Sequence, residues 1–379
     1  MQDPPPESLQ AESSADYTFG QQMNFTLSFT NTPAIERGTL IVNTPQFENS
    51  YTAEFRVDVA PGELLQVRQT LDLTSTPLQP FADVTYWWLL ETADGTIYEI
   101  PRQTIEYADD QFQWKETEQA GVQVYWVADG LDLGQITLDI VLESLPGIQS
   151  IIQADLPQPL RIYLYPTAAD LRSALRLTGQ SWLGGHASPE LGVIMLPAEN
   201  PRTAVVDLRR RLPHELSHLL LYRAVGNNHD QVARWFEEGL ATSFESVPNP
   251  NYAPALTEAL DNDQLIPFSD LCYTFPEAST SEIYRAYAQS ASLVNYIRTQ
   301  YGDEVVRQMI AAYADGADCN TAVERTLNKS LEALVQEWYR EQRPSAAAQL
   351  LDQNLFWMIF LFAGFGIVLL LLFVPRRPQ

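Results

Sequence analysis

The chain has almost no cysteine: of its 379 residues only Cys272 and Cys319 carry a thiol, and no Cys-x-x-Cys pair occurs. A thiolate metal centre is therefore excluded, while a single disulfide between the two remains open in an exported protein. Histidine is scarce as well, with four copies: His186, His214, His218 and His229. Positive charge is short, since 23 Lys and Arg face 48 Asp and Glu and leave a net charge of −25. A field of that sign repels phosphate backbones and argues against a nucleic-acid partner. It also disfavours docking on anionic lipid, except at the basic C-terminal tip. An apolar leader is missing too, because MQDPPPESLQAESSAD is polar and proline-rich. Export then calls either for a signal peptide that has been trimmed, the favoured reading, or for post-translational insertion of a C-terminal tail anchor.

What is present suits real hydrophobic cores: 45% of residues are hydrophobic, 11% aromatic and 19% charged. One long apolar run stands out, the 20 uncharged residues Leu355 to Val374. As a helix it reaches roughly 30 Å, the hydrocarbon thickness of a bilayer. Trp357 near its start and Arg376 and Arg377 just beyond its end predict a single-pass cell-membrane protein. Its C-terminus is then cytoplasmic and the rest extracytoplasmic. Two sequons, at Asn24 and Asn328, matter only in a glycosylating host.

The predicted organisation is multi-domain α+β. Residues 1–15 read as a flexible leader. Over 16–108, short alternating segments separated by turns predict an immunoglobulin-like β-sandwich, with Asp94-Gly95 as a hairpin signal. Over 109–343, strands at Val122 to Val127, Leu160 to Tyr165 and Leu191 to Leu196 alternate with helices at Leu131 to Gln153, Ala168 to Leu177 and Thr203 to Val225. The remainder is helical in period. Residues 344–354 form a linker, 355–374 the membrane span and 375–379 the cytoplasmic tip.

The chemistry concentrates at His214-Glu215-Leu216-Ser217-His218. Four residues apart on a helix, both imidazoles share one face and can reach one tetrahedral Zn²⁺, with the glutamate directed at a water on the metal. Four histidines placed at random produce this motif about twice in a thousand such chains. Leu212, Leu216, Leu219 and Leu220 supply an apolar opposite side. Pro213 implies either a kink or a helix starting there. Downstream, Trp235-Phe236-Glu237-Glu238-Gly239-Leu240-Ala241 offers a carboxylate as third ligand. That set leaves one coordination position for water, as a catalytic zinc needs.

On these residues the chain resembles the gluzincin metallopeptidases, specifically peptidase MA-like proteins and the catalytic domain of the aminopeptidase N group. The resemblance covers roughly residues 120–343 and implies a thermolysin-like domain with a mixed sheet and a helical half. Its Trp-x-x-Glu-Gly-x-Ala frame makes Glu238 the ligand. The interval from His218 is one residue longer than in the family, and counting alone points to Glu237. Tyr287-Ala288-Gln289-Ser290-Ala291-Ser292 resembles the family segment whose tyrosine hydrogen-bonds the developing oxyanion, which implies that role for Tyr287. Gly185, Glu190, Gly192 and Val193 match the region where the family pairs an edge strand with extended substrate. The family's Gly-x-Met-Glu-Asn motif is missing, which leaves aminopeptidase specificity unsupported. His186 reads as a substrate-side residue and His229 as solvent-exposed.

The expectation is a membrane-anchored zinc metallopeptidase acting on peptides or proteins, with Glu215 as general base. The alternative is a non-catalytic, zinc-stabilised surface binding protein on the same scaffold. Nothing in the sequence bears on oligomeric state.

Overall fold

The computed structural model describes residues 9–343, apart from 46, 48, 176–183, 201 and 277–281. Strands β1 (Ala11–Thr18), β2 (Gln22–Thr30), β3 (Ile35–Asn43), β4 (Tyr51–Arg56), β5 (Leu64–Asp72), β6 (Ala82–Thr92) and β7 (Ile97–Tyr107) form two antiparallel sheets, ordered β1-β2-β5 and β4-β3-β6-β7. Period-two patterning drives this layer: Met23, Phe25, Leu27 and Phe29 of β2 are buried, as are Val84, Tyr86, Trp88 and Leu90 of β6. The two sets face each other across one core.

The first strand corrects the predicted leader, because β1 begins at Ala11. Its inward residues, Ala11, Ser13, Ala15 and Tyr17, are mostly small, so only a weak hydrophobic alternation marks it in the sequence. Pairing with β2 and a hydrogen bond from Trp88 Nε1–H to Ser13 Oγ at 2.9 Å hold it in place.

A five-stranded sheet follows, with strands β8 (Lys115–Gln119), β9 (Val122–Trp126), β10 (Leu160–Tyr165), β11 (His186–Ser188) and β12 (Val193–Pro197) in the order β11-β12-β10-β9-β8. Strands β9, β10 and β12 run parallel, with helices α1 (Leu133–Ile151) and α2 (Ala168–Leu175) between them. Their near-continuous apolar runs fit a sheet covered on both faces. Ile162, Leu164, Ile194 and Leu196 point into the helical core, whereas Tyr163, Tyr165, Val193 and Met195 join the sandwich core. Phe81 stacks on Tyr163 with ring centroids 3.5 Å apart, and Arg161 pairs with Glu106 at 2.7 Å.

The helical half contains α3 (Ala204–Val225), a 3₁₀ turn (Gly226–Gln231), α4 (Arg234–Ser243), α5 (Tyr252–Asp261), α6 (Phe268–Leu271), α7 (Glu282–Tyr301), α8 (Asp303–Ala314), α9 (Cys319–Leu327) and α10 (Leu331–Gln342). A disulfide joins Cys272, just after α6, to Cys319, with Cα atoms 5.8 Å apart. Among the described residues no helix is long and apolar enough to cross a membrane. The predicted span at 355–374, with its linker and tip, lies outside them.

Candidate metal centre

Helix α3 carries the paired histidines, and its packing fixes which way they point. Leu212, Leu216, Leu219 and Leu220 are fully buried on one side. His214 and His218 emerge on the other, with ring centroids 4.9 Å apart. The helix runs unbroken through Pro213. Proline has no N–H for the carbonyl one turn back, that of Arg209. Ser246 fills the gap, its backbone N–H donating to Arg209 O at 3.1 Å. This tie brings the segment after α4 against the start of the motif.

Helix α4 supplies the acid. Trp235 and Phe236 are buried in the core, which orients the helix about its own axis. Gly239 lets it approach α7: a Cβ there would lie 2.5 Å from Ser290 O. The third position falls to Glu238, whose Oε2 lies 3.4 Å from His214 Nε2 and 3.6 Å from His218 Nε2. Candidate ligand atoms of the three residues all lie within 4.8 Å of one another. Glu237 turns instead to the back of His218, with Oε1 at 3.2 Å from Nδ1.

These distances test whether an ion belongs here. Nitrogen and oxygen ligands about 2.0–2.1 Å from a tetrahedral zinc sit roughly 3.3–3.4 Å apart from each other. The observed separations match that spacing and exceed a good N–H···O hydrogen bond. Glu238 Oε2 is moreover buried without any hydrogen-bond partner. A buried carboxylate oxygen left unpaired beside two ring nitrogens fits a divalent cation. Both rings are also held from behind, His214 Nδ1 by Glu245 Oε1 at 3.3 Å and His218 Nδ1 by Glu237, as metal-binding imidazoles generally are.

The electrostatics agree. Burial disfavours the charged ring of His214, but the facing carboxylates of Glu238 and Glu245 outweigh it and raise its pKa to about 9. His218 is likewise raised, against burial, by Glu238 and Glu237. Burial also opposes ionisation of Glu238, yet the two histidines draw it down to about 2. The site holds its acid charged and attracts positive charge, whether protons or a metal.

Above the triad opens a cleft of about 630 Å³. Glu215 lies in its wall, and burial raises its pKa above the usual carboxylate value. Gly185 abuts it so closely that a Cβ would come within 2.5 Å of Glu215 Oε1. The Tyr287 ring stands edge-on to His214 at 5.9 Å, and burial, reinforced by Glu238, keeps its hydroxyl protonated. Gly185 and Glu190 both line the cleft.

Two substrate-side expectations are overturned. Strand β12 is bonded on both edges, to β11 and β10, and offers no free edge to a peptide. Val193 is fully buried facing the sandwich. Gly192 packs near Pro157, its carbonyl accepting from Arg161 N–H. Three-residue β11, too short and polar to read as a strand, occupies the edge instead. His229 is corrected as well: its side chain is 18% exposed, lying 3.3 Å from Glu237 and against Tyr222. His186 sits on β11 in the cleft wall, neutral because burial lowers its pKa to about 4. Glu245 went unread in the sequence because it lies just beyond the C-terminal end of α4, where no helical spacing ties it to Glu238.

Residues 143–342 match the family model described as the Peptidase MA superfamily. Among solved structures, the chain is similar to an M1 zinc metallopeptidase from Deinococcus radiodurans, with 13% identity and a TM-score of 0.37, over 88% of this chain and 94% of that one. It is also similar to an aminopeptidase N family protein from Idiomarina loihiensis, with 8% identity and a TM-score of 0.41, over 87% and 76%. The chain matches no curated protein.

Proposed function

The chain belongs to the Peptidase MA superfamily, and from that premise we propose that it is a zinc-dependent peptidase held at the outer face of a membrane by its C-terminal segment. The observation that carries the catalytic reading is the convergence of His214, His218 and Glu238 on one point beneath a cleft, with Glu215 beside them. A site meant only to bind a structural zinc has no use for an open cleft and a buried extra carboxylate.

His214 and His218 would hold the ion through Nε2 and Glu238 through Oε2. Bound there, zinc supplies Lewis acidity, lowering the pKa of a water and polarising the scissile carbonyl. The protein does the rest. Glu215 takes a proton from the attacking water and returns it to the leaving amine. Tyr287, its hydroxyl protonated, donates a hydrogen bond to the oxyanion that develops on the carbonyl, a contribution of a few kcal/mol where such donors are removed. Gly185 and Glu190 lie where a substrate backbone would pass. Glu245 and Glu237 fix the ring orientations of the two histidines.

The decisive experiment is Glu215→Gln in the zinc-loaded chain. It should retain one zinc and lose peptide hydrolysis, while chelation of the wild type abolishes activity that added zinc restores. Normal turnover by Glu215→Gln would refute the mechanism. A zinc-loaded wild type that cleaves no member of a peptide library would favour the binding-protein alternative. The membrane proposal rests on the apolar run at 355–374 and the arginines after it. Carbonate-resistant membrane association, lost on deleting 355–374, tests it.

A further inference from the structure

Helix α3 lines the cleft, so residues on its exposed face mark positions along it. Arg211 comes first, His214 and Glu215 follow one turn on, then His218, then Tyr222. The two ends differ in charge. Near Tyr222 stand Glu190 and Asp230, which together with burial raise that hydroxyl's pKa. At the opposite end stand Arg210 and Arg211.

Arg210 is engaged: its Nε donates to Val247 O at 3.2 Å, and a terminal nitrogen lies 3.6 Å from Asp207. Arg211 is not. Among the described residues no acceptor takes a hydrogen bond from its guanidinium and no carboxylate lies within ion-pair distance, although the side chain is part-buried. Burial lowers its pKa, with the charges of Asp207, Glu199 and Glu215 acting only from further away. A guanidinium presents five donors in a planar fork, and desolvating it without partners is unfavourable. A carboxylate meets that fork with two parallel charge-assisted hydrogen bonds. In a chain of net charge −25, this is a place where an anionic group gains rather than loses on approach.

The helix rise sets the register. Arg211 precedes Glu215 by four residues, so its Cα stands about 6 Å along the axis from the general base. An extended peptide advances roughly 3.3 Å per residue. A peptide laid along α3 with its scissile bond at Glu215 therefore presents to Arg211 a group one or two residues from the bond being cut.

We propose that Arg211 is the carboxylate-recognition residue of this cleft, and that the preferred substrates carry a carboxylate one or two residues from the scissile bond. That inference rests on the peptidase reading. The carboxylate is either a free C-terminus or an Asp or Glu side chain, and the same fork serves both.

Two matched peptide pairs test it on the full-length, zinc-loaded chain. One pair differs in a free versus amidated C-terminus; the other, amidated throughout, differs by Glu versus Gln beside the cleavage site. The wild type should prefer the acid member of at least one pair by roughly 10- to 100-fold in kcat/KM. Which pair shows the preference identifies the source of the carboxylate. Arg211→Gln should bring that ratio close to one, and Arg211→Lys should retain part of it. Binding of the uncleaved pairs to Glu215→Gln protein by calorimetry supplies a second readout, with the same preference expected in Kd. Equal kcat/KM within both pairs for the wild type overturns the inference and leaves the peptidase reading standing. An equal loss on both members in Arg211→Gln also overturns it, since that marks a structural role. Should Arg211→Gln fail to fold, the wild-type ratio and Arg211→Lys still decide. A wild type that cleaves no peptide sinks the peptidase reading and this inference together.

Discussion

Gly239→Ala separates holding the metal from using it. A methyl group at this position would sit 2.5 Å from the carbonyl oxygen of Ser290, 2.7 Å from its carbon and 2.9 Å from Val294 Cγ2. Backbone atoms cannot rotate away, so α7 must retreat by about 1 Å to restore ordinary contact. Tyr287 lies one turn before Ser290 on that helix, and Glu238 is the neighbour of Gly239 on α4. The retreat therefore carries Tyr287 away from the site while α3 and α4 keep their relation. Overpacking of this kind costs about 1–3 kcal/mol of stability. A displacement of about 1 Å in a positioned group lowers turnover by about 100-fold. The assay is kcat/KM on a cleaved peptide, with zinc per chain measured by mass spectrometry and stability by denaturant unfolding. Zinc should stay at one per chain while kcat/KM falls. Wild-type turnover in a stably folded Gly239→Ala would refute the reasoning.

Glu245→Ala removes the carboxylate behind His214 and should weaken zinc binding by about 10- to 100-fold, read by competition with a chelating dye. Zinc affinity should also climb with pH. In the metal-free protein His214 keeps its proton up to about pH 9, and zinc must displace it, so the apparent Kd falls about tenfold per pH unit for each proton released as the pH rises toward 9. The same raised pKa stabilises the metal-free fold below about pH 6.5. That contribution is lost as the pH rises through 9, so zinc-free and zinc-loaded unfolding midpoints should diverge with pH.

Much of the candidate metal site was legible because helical periodicity places His214 and His218 on one face of one helix. The spacing of His214 and His218 and the apolar back of α3 need no tertiary knowledge. Choosing Glu238 over Glu237 took the tryptophan-to-glycine frame, and the reason is physical. Trp235 is buried and Gly239 abuts α7, so the rotation of α4 is fixed and only Glu238 points at both Nε2 atoms. The sheet edge was not legible. Apolar Leu191 to Leu196 reads as a strand in any register, but which strand is outermost depends on the partners it finds. His186–Ser188 carries no pattern that reveals it as the partner. His229 failed for a related reason: a polar turn reads as exposed, and the carboxylate that draws it in belongs to α4. The boundary near residue 108 was placed by a change of period. Period says nothing about Tyr163, Tyr165, Val193 and Met195, which fuse the sheet with the sandwich core.

Pro213 and Glu245 look unrelated in the sequence, and the fold makes them one device. A proline inside a helix costs about 3 kcal/mol, partly through the hydrogen bond it cannot make. Here the freed carbonyl of Arg209 accepts from Ser246, whose predecessor Glu245 then lies 3.3 Å from His214 Nδ1. Arg210 reinforces the same contact through Val247 O. The bond regained is worth only about 1 kcal/mol, so stability alone does not account for the proline. What the proline does account for is position: a residue with an N–H at 213 would satisfy Arg209 within the helix and remove the Ser246 tie from the 245–247 segment. The proline immediately before His214 is thus the means by which that ring acquires its supporting carboxylate.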